Sequence, residues 1–216
     1  VPTSFAEVRE SVLAETDRPQ TPIPRIDAAI LKSISWLEKR HSFEWMARVM
    51  QRDILAGSTR AGPYDLPPNY KEPRALRLKG VETTGVAKYR YVRRVEPEDL
   101  AAVKLGDPAA YWIDGVQWLW FSGIPDTDAT FEFFYFSYTG TMGPGDFHWL
   151  FDHGLDFVEA KSMQYLAAYL RLAPDVVQPY VGIAQDAYAA LVEDNDRKQQ
   201  AGLDLVLGMW EDGYGR

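Results

Sequence analysis

The sequence predicts an α+β fold, mainly α: a four-helix bundle with an inserted β-rich lobe between helices 2 and 3, and an extended C-terminal tail. Three observations predict it. Ile23, Ile26, Ile30, Ile34 and Leu37 recur at helical spacing. Residues 110–138 are aromatic and alternating around Asp114-Gly115, a strong two-residue hairpin signal. Helical spacing then returns over residues 147–192. The expected organisation is a discontinuous helical bundle (1–40 and 146–199), the inserted lobe (41–145) and a docking tail (200–216).

Helix 1 is expected to begin at Ser4, because Ser4-Phe5-Ala6-Glu7 fits a capping box, with Phe5, Val8 and Val12 on one face. Helix 2 begins at Thr21-Pro22, since proline is tolerated in a first turn. After Arg40 the period changes. Residues 43–55 have room for one or two strands, and residues 57–68 read as a long turn region rich in Gly and Pro. Residues 74–79 and 88–95 alternate as half-buried strands do. Pro97-Glu98-Asp99-Leu100 starts a short helix.

A two-residue turn would pair Ile113 with Val116 and Tyr111 with Trp118. Tyr111, Ile113, Val116, Trp118 and Trp120 would then share one face, and Trp112, Leu119 and Phe121 the other. Residues 130–138 form a strand with Phe131, Phe133 and Tyr135 on one face and Phe134, Phe136 and Tyr138 on the other. A strand apolar on both faces must be covered on both. Helix 3 falls within residues 147–172 and ends before Pro174. Helix 4 begins between residues 175 and 179, and 194–200 is a polar stretch before the apolar segment 203–210.

The chain of 216 residues is long enough for one substantial core, or one core and a small lobe. It has no cysteine, which excludes disulfides, thiolate metal sites and cysteine nucleophiles within it. No secretory signal and no apolar run of membrane-spanning length is visible, so a soluble protein made in a cytoplasm is expected. The net charge of −8 disfavours general nucleic-acid binding. Residues 40–94 nevertheless carry twelve basic against five acidic residues. Residues 95–145 reverse this with one against eight, and 146–216 have five against twelve. Solvated faces of opposite sign would explain this. So would head-to-tail association, the kind of heterologous contact that closes into rings.

No catalytic signature appears: no nucleophile elbow, phosphate loop or dinucleotide fingerprint. His148 and His153 are five apart, whereas paired helical ligands prefer three or four, so capping and surface roles are expected and no metal, cofactor or catalytic residue is assigned. Lys88-Tyr89-Arg90-Tyr91 interleaves bases and aromatics, but a strand divides those charges between two faces. Trp112, Trp118, Trp120, Phe133 and Tyr135 are candidates for a subunit interface, core being the plainer role for alternating aromatics. A sugar-stacking platform is the alternative. Leu203, Leu205, Leu207, Met209, Trp210 and Tyr214 either fold back on the core or dock on a neighbour or portal, Met and aromatic side chains being favoured interface anchors.

Several features occur in a telling order: Phe5-Ala6-Glu7, a helix over 26–37, Tyr64-Asp65-Leu66-Pro67 leading into the strand at 74–79, Pro97-Glu98-Asp99-Leu100, Tyr111-Trp112-Ile113-Asp114-Gly115, and Trp149-Leu150 before a helix pair. In this order and spacing the chain resembles the head-to-tail adaptor (connector) proteins of tailed bacteriophages and related gene transfer agents. The resemblance implies a non-enzymatic virion protein of the neck, made in the host cytoplasm. It implies a homo-oligomeric ring, usually a dodecamer, between portal and tail or stopper. Genome DNA would pass through the ring without specific recognition, and no membrane or cofactor would be involved. The alternatives kept beside it are a stopper or tail terminator and, in a different class, a carbohydrate-binding or glycan-hydrolysing protein using the aromatic hairpin.

Overall fold

The structure, a computed structural model, describes residues 3–55, 62–81, 87–102, 108–115, 117–123 and 127–211, with backbone alone at 80, 81, 87, 88, 100–102 and 201–211. The chain divides into two compact units, Val1–Trp45 with Thr139–Arg216, and Met46–Tyr138.

The helical unit opens with α1 (Phe5–Glu15) and α2 (Ile23–Arg40). The Ser4–Glu7 capping box forms in both directions: Ser4 Oγ accepts the Glu7 N–H and the Glu7 carboxylate accepts the Ser4 N–H at 2.7 Å. Ile26, Ile30, Ile34 and Leu37 of α2 are fully buried, whereas Ile23, one turn earlier, is half exposed. The unit resumes with α3 (Trp149–His153), α4 (Leu155–Leu170) and α5 (Pro174–Glu211).

Two of these helices correct the expected four-helix bundle. The expected third helix is broken at Gly154, which ends α3 and begins α4. The backbone at Gly154 is non-helical (φ −149°, ψ 39°), and the packing there leaves no room for a side chain, because a Cβ would stand 2.8 Å from both Leu150 Cδ1 and Leu191 Cδ1. The expected fourth helix does not stop at the polar stretch and yield an extended tail. It runs 38 residues without interruption through residues 194–200 to Glu211. Polar residues do not end a helix when their charges pair along it, and here Glu193–Arg197 (2.9 Å) and Asp194–Lys198 (3.0 Å) are spaced four apart.

The second unit is too extensive to be a lobe on a bundle. Among the described residues the chain has five α-helices and two four-stranded sheets, a sheet-rich α+β fold. The strands are β1 (Ala47–Ile54), β2 (Tyr64–Asp65), β3 (Tyr70–Val81), β4 (Ala87–Tyr91), β5 (Arg93–Arg94), β6 (Ala110–Asp114), β7 (Trp118–Phe121) and β8 (Ala129–Ser137). The first sheet has the order β1-β8-β3-β4 and the second β2-β7-β6-β5. The chain changes sheets at Val92, whose N–H still bonds Leu76 O in the first sheet while the next two residues pair in parallel with β6 in the second.

One core joins the two sheets. It takes Phe131, Phe133 and Tyr135 from β8, Leu76 and Leu78 from β3, and Tyr111, Leu119 and Phe121 from the β6–β7 hairpin. β8 is paired on both edges, by β1 and β3, with Phe131, Phe133 and Tyr135 on its core face and Phe134 and Phe136 on the other, under the guanidinium groups of Arg77 and Arg74. Phe133 and Tyr135, candidates for a subunit interface, lie in this unit's own core (0% and 7% exposed). β1 and β8 pair antiparallel, with Ala47 opposite Phe136, so the chain enters and leaves this unit on neighbouring strands.

Candidate interaction surfaces

The hairpin register differs from the one a two-residue turn demands. Tyr111 pairs with Phe121, Trp112 with Trp120, Ile113 with Leu119 and Asp114 with Trp118, so three residues, 115–117, make the connection. Gly115 sits at φ +61°, where a glycine is free of Cβ strain; Val116 lies outside the described residues. The change re-sorts the faces. Tyr111, Ile113, Leu119 and Phe121 point to the core, and all three tryptophans, 112, 118 and 120, share the outer face. Trp112 thus joins the other two, which the two-residue register had separated.

On that face Trp112 and Trp120 stack almost parallel, with centroids 6.0 Å apart and 5° between planes. Trp118 is 41% exposed. It lies opposite Asp114 on one side and Asp65 on the other, giving a row Asp65–Trp118–Asp114 across three strands. Both aspartates are exposed, and neither side chain has an ion pair or hydrogen bond among the described residues. Neither was singled out in the sequence as an interaction residue. The true register would have revealed Asp114, whereas Asp65 needed the β2–β7 pairing, which no local pattern announces.

The first sheet has the opposite charge. Its strands carry seven cations against three carboxylates among described side chains. On its outer face Arg77 lies over Tyr89 (4.3 Å) and Phe134 (5.1 Å) and is paired to Glu132 at 2.5 Å; Glu132 also accepts from Gln51. Tyr89 and Tyr91 are about half exposed beside it.

In the helical unit His148 caps α3, its Nδ1 accepting the Leu150 N–H at 3.2 Å. Its Nε2 meets the Thr139 hydroxyl, which also bonds Glu38. Acid and hydroxyl are thus on the same ring nitrogen, whereas a nucleophile triad needs the acid on the other. His153 stacks on Trp45 (4.8 Å), whose ring also meets Trp149 (5.1 Å) and the Lys198 ammonium (3.8 Å). Among the described residues no group of three His, Asp or Glu is placed to hold a metal ion, and no helix is long and apolar enough to cross a membrane.

The candidate docking residues Leu203, Leu205, Leu207, Met209 and Trp210 lie on α5, where only the backbone is described; Tyr214 lies outside the described residues. The helical backbone places Leu203, Val206, Leu207 and Trp210 along one stripe. No protein-family model matches the chain, and no curated protein matches it.

Proposed function

We propose that the chain is a structural virion protein, a head-to-tail adaptor whose copies form a ring connecting the portal to the tail or stopper and leaving a channel for the genome. The observation that carries the reading is α5. The last buried residue on it with a described side chain is Asn195, yet the helix continues to Glu211. At 1.5 Å per residue that continuation is roughly 24 Å long. Its stripe of Leu203, Val206, Leu207 and Trp210 suits a helix laid into an apolar groove of a neighbour.

The resemblance in element order and the reversal of charge along the sequence support the same reading. An acidic channel wall would repel the phosphate backbone and let DNA slide.

Deleting residues 203–216 is the test. A truncated protein that folds, yet fails to join heads to tails and fails to bind portal, is expected. Normal particle assembly by the truncation would sink the reading. Native mass measurements with portal present should show a multimer of this chain, and a persistent monomer there would count equally against the ring.

A further inference from the structure

We propose that the end of α5 from a second copy of this chain, residues 203–211, lies along the cationic flank of α2, with Asp204 and Glu211 meeting Lys32 and Lys39. The inference rests on the ring reading and deepens it, because it names this chain itself as a neighbour that receives the α5 stripe. On α2, Arg25, Lys32 and Lys39 follow one another at intervals of seven residues, so they fall on one flank of the helix, beside Trp36 and Arg40. The four basic side chains are exposed. Contacts with α4 show which way this flank looks. Arg25 lies over Tyr169 (5.5 Å), and Lys161 lies over both Trp36 (4.5 Å) and Tyr165 (5.6 Å). Tyr165 and Tyr169 are themselves exposed. The rings on this surface are thus bordered by five cations, none of which is in an ion pair among the described residues. Arg40 and Lys161 share the Trp36 ring, and Lys161 is held below its ordinary amine value by burial and by the charge of Arg40. In a chain of net charge −8, this concentration of unbalanced positive charge calls for an acidic partner.

The end of α5 has the matching pattern. Residues 203–216 hold three acids against one base. Asp204 and Glu211 are also seven apart, and the helical backbone places both on one flank of the stripe of Leu203, Val206, Leu207 and Trp210. Seven residues span about 10.5 Å of helix. Two helices laid side by side therefore bring both acids opposite both lysines, while the stripe covers the tyrosine rings. Charge pairs at this repeat fix the register and partner choice of adjacent helices. The tail of the same copy cannot make the contact. Tyr188 of α5 abuts Trp36 (5.7 Å), and the helix runs on without a break, so Leu203 is about 22 Å further along the axis. The contact is therefore heterologous, with a donor helix and an acceptor face on every copy, the arrangement that builds rings. A nucleic-acid backbone fits less well. It would meet the same cations, but it has no apolar side to cover Tyr165 and Tyr169, and the net charge of the chain repels it.

Sedimentation of the purified full chain at rising concentration tests this. Wild type should self-associate, less so as salt is raised. A face-reversed variant, Lys32→Glu with Lys39→Glu, and a tail-reversed variant, Asp204→Lys with Glu211→Lys, should each remain a monomer with the circular dichroism of wild type. Mixed in equal amounts the two should associate again, since each tail then finds a face of opposite charge. A wild type that stays monomeric at every concentration, reversed variants that associate as wild type does, or a mixture that stays monomeric would overturn the inference. Binding of a DNA duplex that is lost in the face-reversed variant, in a protein that does not self-associate, would overturn it in favour of a nucleic-acid site. Portal binding by the face-reversed variant, whose tail is intact, reports separately on the ring reading. If that variant still binds portal and joins heads to tails, the adaptor stands without this contact. If the charge swap restores association but no form of the chain binds portal, the contact stands and the adaptor reading falls.

Discussion

Glu38 accepts both the main-chain N–H of Thr139, at 3.0 Å, and its hydroxyl. Thr139 is the first residue of the helical unit after the chain leaves the β-unit. With Nδ1 of His148 accepting from Leu150, the remaining ring proton is assigned to Nε2. A chain of hydrogen bonds then runs from His148 to the Thr139 hydroxyl and on to Glu38, tying the end of α2 to the start of α3. Glu38 and His148 are both buried, so neither bond is readily replaced by water. Replacing Glu38 by Ala should cost about 3 kcal/mol by leaving buried donors unsatisfied. Denaturant titration of Glu38→Ala, Thr139→Ala and the double variant should show losses well short of additive.

Gly154→Ala should destabilise by about 2 kcal/mol, since the new methyl must displace Leu150 or Leu191. Adding Leu191→Ala should recover little, because that change opens its own cavity where α5 packs. Urea unfolding of the two single variants and the double variant checks both statements.

Burial pushes the Tyr70 phenol far above its ordinary range, opposed in part by the charge of Arg94, and burial likewise raises Tyr111. A raised folded pKa stabilises the fold fully below the unfolded phenol value of about 10, and that stability is lost as pH rises through the folded value. The β-unit should therefore weaken in alkali, with part of the tyrosinate absorbance appearing only as β-structure is lost. If every tyrosine ionised near pH ~10 with circular dichroism unchanged, the burial of these two rings would be refuted.

The three tryptophans of the outer face should separate by role. Trp112→Ala removes one half of a cross-strand stack and should lower stability by about 1 kcal/mol. Trp118→Ala should change stability by less than about 0.5 kcal/mol, as expected for an exposed ring that meets no other ring and no cation among the described residues. Thermal unfolding of the two variants distinguishes them. Equal losses would mean that Trp118 packs as Trp112 does.

The helices of the first forty residues were legible because their signals are local: Ser4 and Glu7 cap, and the isoleucine stripe has one period. Most strand positions were legible for the same reason; β2, at Tyr64–Asp65, was not, since it lies in the stretch read as a Gly- and Pro-rich turn. The register of the β6–β7 hairpin was not. Asp114-Gly115 signals a two-residue turn, and adding one residue to that turn moves all three tryptophans to one face. The break at Gly154 was not legible, because an isolated glycine is tolerated within a helical period, and the close approach of Leu191 that excludes a side chain there comes from far along the chain. The polar stretch at 194–200 looked like an end because its ion pairs become visible only once the helix is assumed. Trp118 was legible as an interface candidate, whereas its position between Asp65 and Asp114 was visible only through strand pairing.

Because β1 and β8 are hydrogen-bonded neighbours, the 93-residue stretch Met46–Tyr138 begins and ends at nearly the same point. Such an arrangement lets a segment be exchanged as a cassette. A short linker across the gap could close the helical unit, and another β-module with adjoining ends could be grafted there. The β-faces and the long α5 helix would then be free to diversify on separate schedules.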